Sequence, residues 1–301
     1  MAEISLMEYI IKDINNTFPL HAKKLKKNIR EGKINIEESE TYFEKVLQCL
    51  AVQHKDLDFL LECYKLMLKD MYYYRKLFLK EGKYANSYLS DVEERVYSNK
   101  TIMEYHMHGL LLAQFLWPDQ YYRLQFFKSY LKKLKKARKY LEIGAGHGLY
   151  VREVLQKLPC ITKADIIDIS ETSLNLSKAL INNRTVNFQK KNIFEADSSE
   201  LYDFISIAEV IEHVENPAAL LKKIKVLLNK DGIVFLSTPV NSPMIDHIYL
   251  FESIEEIRSL INESGFGIIK DTYRSSEDLS YEESLQKKVP IMYAAFLENK
   301  V

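Results

Sequence analysis

The chain has 301 residues, of which 47% are hydrophobic, so it is long enough to bury the cores of two domains. Its 42 basic and 42 acidic side chains cancel, which argues against a protein whose overall charge attracts nucleic acid or an anionic membrane. The beginning of the sequence carries acids where a secretion signal needs bases, and no apolar run reaches the ~20 residues of a membrane span. The 3 cysteines lack the spacing of a metal or redox site. We therefore expect a cytoplasmic protein without a membrane partner.

Residues 1–135 have the pattern of helices throughout. Apolar side chains recur at i, i+3, i+4 and i+7, for example from Leu57 to Leu68, and the pattern predicts about six helices. The pair Trp117-Pro118 ends one helix because proline restricts the residue before it, and Asp119 is expected to cap the next helix. We interpret this region as a helical domain that forms a lid, binds the substrate or mediates a homodimer.

From residue 136 to residue 301, short apolar runs alternate with helical segments. Such alternation predicts an α/β domain with a Rossmann-like, mostly parallel sheet of seven strands and helices on both faces. The predicted strands are Tyr140–Ile143, Asp165–Ile169, Val186–Gln189, Phe204–Ala208, Ile233–Ser237, Phe266–Thr272 and Val289–Phe296.

A glycine-rich loop, Gly144-Ala145-Gly146-His-Gly148, follows the first predicted strand and leads into a helix. Glycines allow the backbone to approach a ligand closely, and a helix N-terminus offers unpaired N–H groups. The third glycine of a dinucleotide-binding loop would fall at Leu149, so the spacing argues against a dinucleotide.

This loop and the residues after the next strands resemble the class I methyltransferases that use S-adenosylmethionine (SAM). In that family an acid two residues before the first glycine, here Glu142, helps to hold the methionine end of SAM. The resemblance implies that Asp168 binds the ribose hydroxyls, as a carboxylate is suited to do, and that Ile169 packs on adenine. Asn192 stands where the family usually has an aspartate at the adenine edge. The implied cofactor residues are Glu142, Gly144, Ala145, Gly146, Gly148, Asp168, Ile169, Asn192, Ile193 and Ala208.

The string Glu209-Val-Ile-Glu212-His213 follows the fourth predicted strand, and His247 follows the fifth. Ubiquinone-pathway O-methyltransferases have a similar string, as do small-RNA 3′-terminal 2′-O-methyltransferases, in which it binds a metal together with a later histidine. The second resemblance implies that Glu209, Glu212, His213 and His247 hold Mg²⁺. The alternative is a metal-free site in which His247 or His213 is the catalytic general base, because imidazole titrates near neutral pH.

Aromatic residues near the end of the helical region are candidates for an acceptor pocket, since the helix before the first strand covers the SAM site in the family. They are Tyr105, Trp117, Tyr121 and Tyr122. A lysine-rich run over residues 128–139 has the pattern of a solvated helix face, which argues against a nucleic-acid partner.

Together these patterns favour a SAM-dependent methyltransferase that methylates an oxygen of a small-molecule acceptor in secondary metabolism. One alternative is a metal-assisted RNA ribose 2′-O-methyltransferase, which the Glu/Glu/His/His set and the lysine-rich run favour. The other is a SAM-binding scaffold without turnover, which would need no polar pocket beside the sulfonium.

Overall fold

The computed structural model describes residues 5–181 and 186–300, and the N-terminal part of the chain is helical, as predicted. The helices are α1 (Leu6–Thr17), α2 (Pro19–Arg30), α3 (Ile36–Ala51), α4 (Leu57–Glu81), α5 (Leu89–Val92), α6 (Lys100–Leu116) and α7 (Pro118–Leu131), with a π-helical turn, Glu93–Tyr97, after α5. Asn35, Asp56 and Asn99 each cap a helix by accepting a backbone N–H with the side chain.

The start of α7 differs from the prediction. Trp117 is the N-cap residue and Pro118 is the first helical residue, whereas Asp119 was expected to be the cap. Proline is favoured at this first position because its missing N–H would have no helical partner there. Asp119 therefore lies inside the first turn of α7, where its carboxylate faces the positive end of the helix dipole.

The strands of the described residues form one seven-stranded sheet in the order β3-β2-β1-β4-β5-β7-β6. Strands β1 to β5 pair in parallel, and β7 is antiparallel to both of its neighbours. This arrangement confirms the predicted Rossmann-like sheet. The strands are β1 (Lys139–Ile143), β2 (Lys163–Asp168), β3 (Val186–Lys190), β4 (Tyr202–Ala208), β5 (Leu228–Val240), β6 (Phe266–Ser275) and β7 (Ile291–Asn299).

Helices between the strands cover the sheet. They are α8 (Leu149–Lys157), α9 (Glu171–Ile181), α10 (Pro217–Leu227), α11 (Ile254–Glu263) and α12 (Tyr281–Gln286), with 3₁₀ turns at Ile193–Glu195 and Ile211–His213. Helix α12 has no counterpart among the predicted elements, although Ser280 and Glu283 form a capping box at its start. Among the described residues, no helix is long and apolar enough to cross a membrane.

The N-terminal helices share a hydrophobic core with one face of the sheet. On that face, Phe127 of α7 packs edge-on against Phe235 of β5, and Tyr130 stacks on Phe296 of β7 with ring centroids 4.0 Å apart. A second core lies on the opposite face, between the sheet and helices such as α10 and α11. Helix α7 is therefore held against this face of the sheet by aromatic contacts with β5 and β7. The division of the chain at residue 135 stays a prediction.

Candidate active site

The glycine loop after β1 adopts a backbone that suits glycine. Gly144, Gly146 and Gly148 have φ angles of 73°, 49° and 79°, in the left-handed region that other residues rarely adopt. A Cβ on Gly144 would lie 2.4 Å from Val210 Cγ2, so this glycine is required by packing against the loop after β4. A Cβ on Gly146 would meet no described atom within 4 Å, and the open space beside it belongs to the cleft.

Asp168, at the end of β2, lies beside this loop. Its carboxylate accepts the N–H of Ser170 at 2.7 Å and the N–H of Gly146 at 3.3 Å. Burial raises the pKa of Asp168 to about 6. Asp168 and Gly146 line the same cleft, which places a buried carboxylate next to the open space above the glycine loop.

The remaining predicted cofactor residues also line this cleft, except Gly148, which packs against Ser177. Ile169 and Ile193 contribute apolar walls, and the Asn192 side chain accepts the N–H of Phe194 at 3.1 Å, which fixes the turn that carries Ile193. A buried acceptor, two apolar side chains and an unfilled space at a glycine suit the ribose and adenine of SAM. The residues present therefore fit this cofactor.

Glu142 is buried at the end of β1 and lines the cleft floor. Tyr140 and Ser206 donate their hydroxyls to one of its carboxylate oxygens, because the strand period of two places all three side chains on the same face of neighbouring strands. Burial raises the pKa of Glu142 to about 8.

Glu209, in the loop after β4, pairs with a residue that the sequence analysis missed. Arg123 Nη1 lies 2.7 Å from Glu209 Oε1, and the Ser237 hydroxyl donates to the same oxygen at 3.0 Å. Arg123 also donates to the hydroxyl of Tyr150 at 2.7 Å. Glu209 has a φ of 57°, a strained backbone that persists only where its surroundings enforce it. The one available signal for Arg123 was its position four residues before Phe127, which places it on the helix face that packs against the sheet.

Three of the four predicted metal ligands come together. One ligand atom from each of Glu212, His213 and His247 lies within 4.8 Å of the others. Glu209 does not join them, and its Oε1 instead pairs with Arg123. The predicted four-residue ligand set is therefore reduced to three residues in this structure.

Hydrogen bonds fix part of this cluster and leave part of it free. The Thr238 hydroxyl donates to Glu212 Oε2 at 2.9 Å, and His213 Nδ1 lies 3.0 Å from the Asp246 carbonyl oxygen. Glu212 Oε1 and His247 Nδ1 are buried and have no hydrogen-bond partner among the described residues. These two atoms therefore keep the capacity to bind a hydrogen-bond donor or a cation.

Burial and charge set the protonation of the cluster. Burial lowers the pKa of His247 to about 3, so this imidazole is neutral near pH 7. Burial also opposes protonation of His213, but Asp246 and Glu212 outweigh it and raise the pKa of His213. Tyr97, from the π-helical turn, contacts His213 with its hydroxyl at 3.0 Å and closes this side of the cleft.

Only one of the four predicted acceptor-pocket aromatics, Trp117, lines the cleft. Tyr105 donates to Asp70 at 2.6 Å, Tyr121 donates to Glu38, and the Tyr122 hydroxyl accepts from Thr272 at 3.2 Å. The helical period explains this difference, because the faces of α6 and α7 that reach the cleft carry other residues. These residues are Met103, His106, Met107, Leu110, Gln120 and Arg123.

The parallel sheet, the glycine loop after β1 and the acid after β2 define the class I, SAM-binding methyltransferase fold. A family model described as a methyltransferase domain matches residues 117–271, about half of the chain. The chain therefore belongs to this family of class I SAM-dependent methyltransferases.

Individual relatives match over shorter stretches. A ubiquinone biosynthesis O-methyltransferase of Haemophilus ducreyi is 29% identical over 109 residues, which are 34% of this chain and 45% of that protein. A malonyl-[acyl-carrier protein] O-methyltransferase of Bacillus cereus is 26% identical over 177 residues, 56% of this chain and 64% of that one. The chain thus spans about half the length of the curated relatives that it matches. The solved structure of the mitomycin 7-O-methyltransferase MmcR superimposes with a TM-score of 0.52 over 76% of this chain and 67% of that chain, at 10% identity, which shows a shared fold.

Proposed function

We propose that this protein transfers a methyl group from SAM to an oxygen of a small molecule in secondary metabolism. The observation that carries the proposal is the cleft in which the buried Asp168 carboxylate adjoins the open space at Gly146. Bound SAM would supply a methyl group that passes to a nucleophilic oxygen while the sulfur leaves from the opposite side of the methyl carbon. The protein has to orient the acceptor and help to remove its proton.

Each end of the cofactor has residues suited to it. Asp168 is placed to accept hydrogen bonds from the ribose hydroxyls, while Ile169 and Ile193 offer apolar surface to adenine. Glu142 is suited to the methionine ammonium, since an opposite charge would favour the ionised form of its buried carboxyl. Gly146 leaves room for the cofactor to pass close to the backbone.

Two features favour a small molecule over RNA as the acceptor. The relatives reported above are named as O-methyltransferases that act in ubiquinone biosynthesis or on malonyl-[acyl-carrier protein]. In addition, the ends of the lysine-rich run are partnered, because Lys128 pairs with Glu38 at 2.5 Å and Lys139 with Glu200 at 2.7 Å. These pairs reduce the positive charge that an RNA backbone would need.

The test is methyl transfer by the full chain from SAM labelled with tritium in its methyl group. Pooled hydroxylated metabolites and short RNAs serve as acceptors, and Gly146→Val serves as the control that fills the space at the glycine. We expect the wild-type chain to methylate one or more metabolites and Gly146→Val to methylate none of them. Transfer only to RNA would support the alternative substrate, and SAM binding without transfer to any acceptor would support the scaffold.

The Glu212–His213–His247 cluster favours a second candidate, metal-assisted methyl transfer. A divalent ion there would take one carboxylate oxygen and two imidazole nitrogens, leaving positions for the acceptor's oxygens. In that case EDTA abolishes transfer, Mg²⁺ or Mn²⁺ restores it, and Glu212→Gln and His247→Ala are equally damaging. If transfer is unaffected by EDTA, these residues shape the cleft without a metal.

A further inference from the structure

A second chamber of about 350 Å³ adjoins the cofactor cleft, and its size falls within the range of small-molecule sites. Helices α2 and α4, the start of α7 and the segments after β4 and β5 form its walls. Much of its lining is apolar, with Met71, Tyr72, Met244 and Met292 on different sides. Thioether side chains adapt their shape to a ligand more readily than branched ones do.

The cleft and the chamber share part of their lining, which includes Trp117, Glu209 and Met244. Glu209 therefore stands at the junction. Both of its side-chain contacts, from Arg123 and Ser237, fall on Oε1, so Oε2 is available to a further donor. His247 lines the cleft but does not line the chamber. A group that enters the cleft from the chamber thus meets the Glu209 carboxylate.

The charges around the chamber are unequally neutralised. Lys24 pairs with Glu277 at 2.7 Å, and Glu209 pairs with Arg123. Asp119 lies in the first turn of α7, where the helix N-terminus offsets its charge and burial raises its pKa. Arg75 donates only to the carbonyl oxygens of residues 287 and 288 and forms no ion pair with a carboxylate of the described residues. Arg75 is therefore the cation in this chamber whose charge has no carboxylate partner.

We infer that the chamber binds the methyl acceptor, and that the acceptor is a small, largely apolar molecule with a hydroxyl facing Glu209 and a carboxylate pairing with Arg75. This inference rests on the proposed function and assigns its substrate class. In the transfer step the acceptor oxygen bonds to the methyl carbon while the carbon–sulfur bond breaks and its electron pair leaves with sulfur. The hydroxyl proton passes to the Glu209 carboxylate, so Glu209 takes the role of the general base that the sequence pattern predicted for His247 or His213.

Trp117 provides a direct readout of binding, because it is the single tryptophan of the chain and lies at the junction. The wild-type chain is saturated with S-adenosylhomocysteine and titrated with matched pairs of hydroxy acids and their neutral amides: hydroxybenzoate, hydroxycinnamate and hydroxyoctanoate. We expect an acid to change Trp117 fluorescence at a concentration about 10-fold lower than its amide does. The reason is that a charge-assisted pair with Arg75 strengthens binding by about that factor. Arg75→Gln should remove this preference. Arg274→Gln should retain it, because Arg274 lies outside the chamber.

A second variant tests the junction. Glu209→Gln should still bind the preferred acid, detected by Trp117 fluorescence, but transfer methyl groups about 10²- to 10⁴-fold more slowly. The inference is overturned if no acid is preferred over its amide, or if Glu209→Gln transfers at the wild-type rate. Failure of the chain to bind S-adenosylhomocysteine at all would instead overturn the proposed function.

Discussion

Arg123 on α7 and Glu209 beyond β4 form an ion pair, with 2.7 Å between Nη1 and Oε1. The pair joins the helical region to the carboxyl edge of the sheet, and both residues line the cofactor cleft. Arg123 is buried, whereas the Glu209 side chain keeps 24% of its exposure. The contact therefore links the packing of α7 to the position of the residue at the junction with the acceptor chamber.

Arg123→Met should destabilise the fold as well as the site. Removing Arg123 leaves the partly buried charge of Glu209 without its partner, and we expect the free energy of unfolding to fall by about 2 kcal/mol. Urea denaturation of Arg123→Met, Glu209→Gln and the double variant measures the coupling. We expect the two changes to be non-additive by about 1 kcal/mol or more, and strict additivity would show that the pair does not couple the two regions.

Asp168→Asn should weaken the binding of SAM by about 10-fold or more. The substitution preserves the size of the side chain but removes the charge that strengthens its hydrogen bonds to the ribose hydroxyls. Calorimetric titration gives the dissociation constant. Asp165→Asn is the matched control, because Asp165 is a buried acid of the same strand whose contacts with Asn187 and Tyr202 lie away from the cleft. Equal effects of the two variants would remove Asp168 from the ribose role.

Gly146→Val tests the open space above the loop, and Gly32→Val is its control. Both glycines have a positive φ, of 49° and 68°, and a Cβ at either would meet no described atom within 4 Å. Backbone strain should therefore lower the free energy of unfolding of both variants by similar amounts, about 1–2 kcal/mol. Only Gly146→Val should lose SAM binding, because only Gly146 lines the cleft. Tight binding by Gly146→Val would place the cofactor elsewhere.

Glu142 should make stability depend on pH. Its pKa in the folded chain is raised to about 8, above the ordinary value of 4.5, so the folded chain keeps a proton that the unfolded chain releases. This contribution to stability is present below about pH 4.5 and is lost as the pH rises through about 8. Glu142→Gln keeps the neutral form at every pH. Urea denaturation should therefore show the free energy of unfolding of Glu142→Gln rising relative to that of the wild type between about pH 5 and about pH 8. A difference between the two proteins that does not change with pH would contradict the raised pKa of Glu142.

The sequence predicted the fold well because the strands are apolar runs separated by glycine, proline and capping residues. The order of acids and glycines also indicated which strand ends meet at Asp168 and Gly146. Contacts between distant elements were harder to predict. The Arg123–Glu209 pair depends on how α7 rotates against the sheet, and no local pattern specifies that rotation. The same rotation turns Tyr121 and Tyr122 away from the cleft and turns Gln120 towards it.

Binding of SAM in the cleft at Gly146 and Asp168 underlies each role proposed above. Calorimetric titration of the wild-type chain with S-adenosylhomocysteine tests it most directly, since this product shares the adenosine and methionine parts of the cofactor and needs no acceptor. We expect saturable binding at one site per chain, which SAM competes for and which Gly146→Val lacks. A chain that circular dichroism shows to be folded, and that gives no binding heat and no competition, would contradict it.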